Sequence, residues 1–129
     1  MVGEGGYEMT QDFTRDKPIY SQLVDLICGD ILKGNLQPGG KMQSVREYSL
    51  EVGVNVNTVQ RVYKELESMG LTDTKRGQGT FITTDKARIS QLREDMKIEL
   101  INQFLQSISA FGFSKEEIVQ SLLRKDGTK

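Results

Sequence analysis

A mainly α-helical chain with a small β wing, a winged helix-turn-helix followed by two further helices, is the fold class that three observations predict. Residues 44–79 carry two short helical patterns meeting at a tight turn, and a basic, glycine-rich hairpin follows the second. Ahead of them, one apolar helical pattern is bounded by Pro18 and Gly34. Behind them, apolar residues recur at helical spacing as far as Ile108, and a separately punctuated helix comes after.

The first helix is expected after Lys17, with Pro18 at a first-turn position where its missing N–H is harmless. Ile19, Tyr20, Leu23, Val24, Leu26, Ile27 and Ile31 give it one broad apolar face, and Gly34 stops it. The following NLQPGGK reads as a turn. Ser44 and Glu47 have capping-box spacing and place a helix start at Ser44, with Val45, Tyr48 and Val52 inward and Gly53 at the end. Val54 is expected to pack into the turn. The next helix starts at Asn55 or Asn57, and Asn57 with Gln60 again has capping-box spacing. Val59, Val62, Tyr63, Leu66 and Met69 form its inner stripe, and Gly70 terminates it. Leu71–Lys75 and Thr80–Thr83 lean towards β structure across Arg76-Gly77-Gln78-Gly79, with Phe81 inward.

From about Lys86 the pattern is helical again. Ile89, Leu92, Met96, Leu100, Ile101, Phe104, Leu105 and Ile108 line a long face that Gly112 breaks. Phe113, Ser114, Glu117 and Ile118 combine a hydrophobic staple with a capping box, and Val119, Leu122 and Leu123 continue that helix. Neither helix is stable alone in water, so both need a surface to pack on. The expected organisation is a flexible arm over 1–12, a winged helix-turn-helix over 13–84 and a helical dimerisation region over 85–129. Leu92, Met96, Leu100, Phe104, Ile108, Ile118 and Leu122 are the candidate dimer contacts. Met96, Phe104, Phe111 and Phe113 can instead line an apolar pocket for a small-molecule effector, whose identity is unknown; the plainer reading keeps them in the helix-pair core and dimer seam.

Composition narrows the function. A chain of 129 residues with 36% apolar content suits one domain, or one small domain with an appendage. No tract approaches a membrane span and no leader-like start is present, so a cytoplasmic location without membrane attachment is expected. Cys28 is the lone cysteine and histidine is absent, which excludes an intrachain disulfide and a Cys/His zinc site. Cys28 sits in an apolar helical pattern and reads as core. Tyr20, Asp25 and Cys28 make no recognisable catalytic constellation, so no enzyme activity and no cofactor are expected.

A net charge of −1 argues against an indiscriminate polyanion binder, so DNA binding would depend on which faces carry the charges. Asn57 and Thr58 put short hydrogen-bonding groups beside the free N–H groups of a helix start, which suits a phosphate oxygen or a base edge. Gln60 can address adenine and Arg61 guanine; pointed elsewhere, they hold phosphates and only position the domain. Lys64 extends that face, and Arg46 lies one turn into the supporting helix. Lys75 and Arg76 charge the wing, where Gly77 and Gly79 allow close backbone approach. Taken singly, Arg61 and Lys64 are ordinary solvated residues and Asn57 a cap. Their order as support helix, reading helix and wing is what points to double-stranded DNA. A protein-interaction winged helix without specific DNA binding is the competing reading.

In these motifs the chain resembles the GntR family of bacterial transcription regulators, particularly its short YtrA-type branch. The resemblance runs from Pro18-Ile19-Tyr20-x-Gln22-Leu23 through Leu36-Gln37-Pro38-Gly39 and Ser44-Val45-Arg46-Glu47. It continues in Asn55-x-Asn57-Thr58-Val59, Tyr63-x-Glu65-Leu66-Glu67, Gly70-Leu71 and Arg76-Gly77-x-Gly79-Thr80-Phe81. It implies a homodimer on a palindromic operator, with DNA contacts from Arg46, Asn57, Thr58, Gln60, Arg61 and the wing glycine Gly77. It also implies repression, commonly of operons encoding transport proteins. Gln43, Tyr48 and Val56 depart from the family pattern, which has proline, leucine, and proline or arginine there; the departures bear on the operator more than on DNA binding.

Overall fold

Among the described residues the elements are α1 (Ile19–Lys33), α2 (Val45–Val52), α3 (Val56–Ser68), β1 (Thr72–Lys75), β2 (Gly79–Ile82), α4 (Lys86–Ala110) and α5 (Lys115–Gly127). The computed structural model describes residues 17–127, so the arm expected over 1–12 lies outside the described residues. The fold is mainly helical with a two-stranded wing, as the sequence predicts.

Helix α1 buries Leu23, Val24, Ile27, Cys28 and Ile31, while Ile19 and Leu26, expected on the same face, are exposed. At about 100° per residue, Leu26 falls roughly 130° from the centre of that buried set. Tyr20 lies at its angular centre, one turn before Leu23 and Val24, and is half-buried.

Helix α3 is the hub of the winged region, packing on α1, α2 and β1. Val59, Val62 and Leu66 have no exposed surface, and Tyr63 is buried with them. Each such burial stabilises the fold by about 1.5–3 kcal/mol relative to an exposed side chain. The Tyr63 hydroxyl donates to the Gln43 carbonyl at 2.8 Å, tying α3 to the residue before the α2 cap. Tyr48 meets the Tyr63 ring at 6.1 Å in a tilted pair.

The capping box of α2 forms in full, with Glu47 N–H on Ser44 Oγ and Ser44 N–H on the Glu47 carboxylate. The turn that follows is also held by a contact beyond the packing of Val54. Val54 is half-buried, and the buried Ser49 hydroxyl donates to the Val54 carbonyl at 2.7 Å. Backbone N–H groups of Gly53 and Val54 both bond the Ser49 carbonyl, so Ser49 closes the turn with its carbonyl and its hydroxyl together.

The wing pairs Thr72 with Ile82 through Lys75 with Gly79 in antiparallel register. Its second strand gains a neighbour that the sequence did not announce. Lys41 bridges Phe81, Met42 N–H bonds Thr80 O, and Ile82 N–H bonds Gly40 O, so the end of the expected turn becomes a rung of the wing. Phe81, expected inward, is half-buried, with the Lys75 ammonium 5.0 Å from its ring centroid.

Asp85 caps α4 through bonds from the Ala87 and Arg88 N–H groups, and Arg88 Nε donates to the Met69 carbonyl at 2.6 Å. The start of α4 is thereby fastened to the end of α3. Two compact units divide between Ser90 and Gln91, inside α4. In the second, Ile108 is buried and its carbonyl accepts the Phe113 N–H beyond the helix end. Ser114 and Glu117 then form the complete capping box that their spacing predicts.

Candidate nucleic-acid interface

The first turn of α3 decides which polar groups are free. Asn55, not Asn57, is the cap: its side-chain oxygen accepts the Asn57 N–H at 2.7 Å. The alternative box of Asn57 with Gln60 is therefore not what starts the helix, because the left-handed end of α2 at Gly53 brings the chain into α3 two residues earlier. Asn57 becomes a first-turn helical residue with its carboxamide exposed.

At about 100° per residue, Asn57, Gln60, Arg61 and Lys64 fall within roughly 100° of arc. All four are exposed, while Val59, Val62, Tyr63 and Leu66 occupy the opposite, buried side. The stripe carries two cations and two carboxamides and no carboxylate; Glu65 and Glu67 lie to either side of it. A nearly neutral chain thus presents a locally positive, hydrogen-bonding face. Thr58 flanks the stripe and is half-buried, while Val56 is exposed at the head of the helix.

Arg61 has a partner that its own helix does not supply. Its guanidinium carbon sits 3.8 Å from the centroid of the Tyr20 ring on α1. Arg46 is exposed in the first turn of α2, the helix that packs on α3. On the wing, Lys75, Arg76 and Gly77 are all exposed. Gly77 has φ +74° and nothing within 4 Å of where a side chain would begin, so the hairpin tip offers bare backbone. At Gly79, φ is +121° and a Cβ would come within 2.9 Å of Lys41 Cε. Lys41 is exposed against the base of the wing and adds a third cation to Lys75 and Arg76.

Lys41 and Tyr20 belong to this surface and were not among the expected contacts. Lys41 reaches it through a bridge to a residue forty positions away, which no local pattern reveals. Tyr20 reads from sequence as one more core aromatic.

The candidate dimer contacts sort by burial. Leu92 and Ile108 are buried within the chain, Met96 and Ile118 are half-buried, and Leu100, Phe104 and Leu122 are exposed. Phe111 and Phe113 stack at 6.2 Å and are exposed as well, outside any core of the single chain.

Other reactive groups are quiet. Burial, with the Asp25 carboxylate as a lesser cause, pushes the Cys28 thiol up to about 11. Burial likewise raises Tyr48 to about 12, helped by Glu51, and raises Tyr63 further. None of the three is ionised near neutrality. Among the described residues, no group of three or more His, Cys, Asp or Glu side chains is placed to hold a metal ion. No helix there is long and apolar enough to cross a membrane.

Residues 19–82 match the family described as bacterial regulatory proteins, gntR family. The chain is 37% identical over 114 residues to the HTH-type transcriptional regulator YhcF of Bacillus subtilis (strain 168), covering 88% of this chain and 94% of YhcF. The HTH-type transcriptional repressor YtrA of the same organism is 32% identical over 111 residues, covering 72% of this chain and 85% of YtrA. A solved GntR family transcriptional regulator from Listeria monocytogenes matches with a TM-score of 0.80 at 39% identity, over 87% of this chain and 98% of that one. With the family match over the winged region and a relative 37% identical along most of both chains, this chain belongs to the GntR family and is a DNA-binding transcription regulator.

Proposed function

We propose that the protein is a homodimeric repressor of the short YtrA-type branch, binding a palindromic operator with one α3 helix in each half-site. The observation that carries the reading is the exposed stripe of Asn57, Gln60, Arg61 and Lys64, free of carboxylates and flanked by a wing with Lys75, Arg76 and the bare Gly77 backbone. Gln60, Arg61 and Asn57 would meet base edges, and Thr58, Arg46, Lys64 and the wing cations would hold phosphates. Lys41 joins the phosphate-holding set. Val56, exposed at the head of α3, is suited to a thymine methyl.

Support for the dimer comes from the tail. Leu100 is 60% exposed, Phe104 47% and Leu122 55%, with Ile98 and Ile101 open beside them on α4. Apolar side chains at this density call for a covering surface, and a second copy in two-fold arrangement supplies an identical one. Support for repression comes from the similarity to YtrA, itself a repressor. The regulated genes proposed on that resemblance encode a transporter, and the protein acts in the cytoplasm by occluding a promoter. Any small-molecule effector acts on the tail or on the spacing of the reading helices.

The test is fluorescence anisotropy of the protein on its own upstream duplex and on a scrambled duplex, across a salt series, with Arg61→Ala alongside. Preference for the native duplex, a steep fall with salt and weaker binding by the variant support the reading. Absence of binding even at low salt would replace it with a protein-interaction role. Sedimentation of Leu100→Asp/Phe104→Asp tests the dimer: the reading requires the variant to be monomeric where the parent is dimeric.

A further inference from the structure

We infer that Tyr20 is a positioning residue for DNA recognition: its ring holds the Arg61 guanidinium in place before DNA arrives. This rests on the assignment of the α3 stripe as the DNA-reading face. Three observations meet at the pair. Arg61 Cζ lies 3.8 Å from the ring centroid, well inside the roughly 6 Å over which a ring face attracts a cation. Tyr20 projects from the buried face of α1, one turn before the fully buried Leu23, and α1 packs on α3. The half-buried ring thus extends the face by which α1 packs on α3. Finally, no salt bridge engages Arg61 among the described residues, so stacking orders it without neutralising it.

The consequence is a division of labour along the stripe. Gln60 and Lys64 lie beside Arg61 on the same helix, but only Arg61 is stacked on another element. An arginine held this way loses less side-chain freedom on meeting a phosphate or a guanine edge than one swinging in water. The ring, and not the hydroxyl, does this. Phenylalanine should therefore serve in place of Tyr20, and an aliphatic residue should not.

The experiment is a double-mutant cycle on the full chain with its upstream duplex, read by anisotropy. Tyr20→Leu is expected to weaken specific binding about three- to thirtyfold, while Tyr20→Phe stays within about twofold. In an Arg61→Ala background, Tyr20→Leu is expected to change affinity by less than about twofold, since the group it positions is gone. Equal losses from Tyr20→Leu with and without Arg61 would overturn the inference, because the ring would then act independently or merely support the fold. Loss in Tyr20→Phe equal to that in Tyr20→Leu would overturn it in favour of a hydroxyl contact. Specific binding by the parent that Arg61→Ala weakens and Tyr20→Leu leaves intact would overturn the positioning role alone. No specific binding by the parent would remove the DNA-reading assignment and this inference with it.

Discussion

In the winged region Leu23, Val59, Val62, Leu66 and Leu71 have no exposed surface, whereas α4 and α5 leave Ile98, Leu100, Ile101, Phe104, Leu122 and Leu123 each about half open or more. Both regions use the same local devices. A serine–glutamate box starts α2 and another starts α5, each with both bonds made. What separates them is closure: α3 meets three neighbours within its region, while the tail has two helices for a long apolar face. Good helix punctuation is thus no evidence that a region can bury its own side chains. The winged part buries its own apolar side chains, and the tail leaves much of its apolar face open in the single chain.

The sharpest break of that comparison pairs two leucines. Leu66→Ala should cost about 2–5 kcal/mol in urea unfolding, because the cavity opens in a packed site. Leu100→Ala should stay within about 0.5 kcal/mol at concentrations where the chain is monomeric. A comparable cost at both positions would mean that the tail closes on itself.

Alkaline pH should weaken the winged region through Cys28. The unfolded thiol titrates near its ordinary 9.0, while in the folded chain it holds its proton to about 11. Between those values the unfolded state binds fewer protons, so stability is full below the lower value and falls as pH rises through the higher. The slope in that window approaches about 1.4 kcal/mol per pH unit. Cys28→Ala should flatten the early part of a stability profile measured by urea melts. Tyr48 and Tyr63, also raised by burial, should keep the later part steep.

A smaller effect separates the two asparagines at the start of α3. Asn55→Ala should lower stability by about 0.5–2 kcal/mol through loss of the cap. Asn57→Ala should leave the melt within about 0.5 kcal/mol and weaken specific DNA binding by about 1–3 kcal/mol. Reversal of these outcomes would return the cap to Asn57 and take it off the reading face. The smallest contrast is between the boxes themselves. Ser44→Ala and Ser114→Ala should each cost about 1 kcal/mol of helix stability by circular dichroism. Only the first should also lower the urea midpoint of the winged core, since α2 packs on α3 and the Ser44 box starts α2.

Much of this arrangement is legible in the residues alone, and the reason is range. A capping box joins positions three apart, and an inner stripe repeats within two turns. Ser44 with Glu47, Ser114 with Glu117, and Val59 with Val62 and Leu66 therefore declare themselves without tertiary information. The outward face of α3 follows as the complement of its buried stripe. Asn55 and Asn57 were not separable this way, since both are good caps and only the path of the turn after Gly53 chooses between them.

What the tertiary structure alone decided lies between residues far apart in the chain. The Lys41 rung on the wing spans forty positions, the Tyr63 bond to Gln43 twenty, and the Arg88 bond to Met69 nineteen. Stacking of Arg61 on Tyr20 is of the same kind. Local chemistry determined the helices, most of their ends and the polar face of α3, because those depend on backbone hydrogen bonds and helical period within a turn or two; the start of α3 is the exception. Which cation acquires a platform, and which apolar face remains open, depends on how the helices pack, and no window of sequence holds both partners.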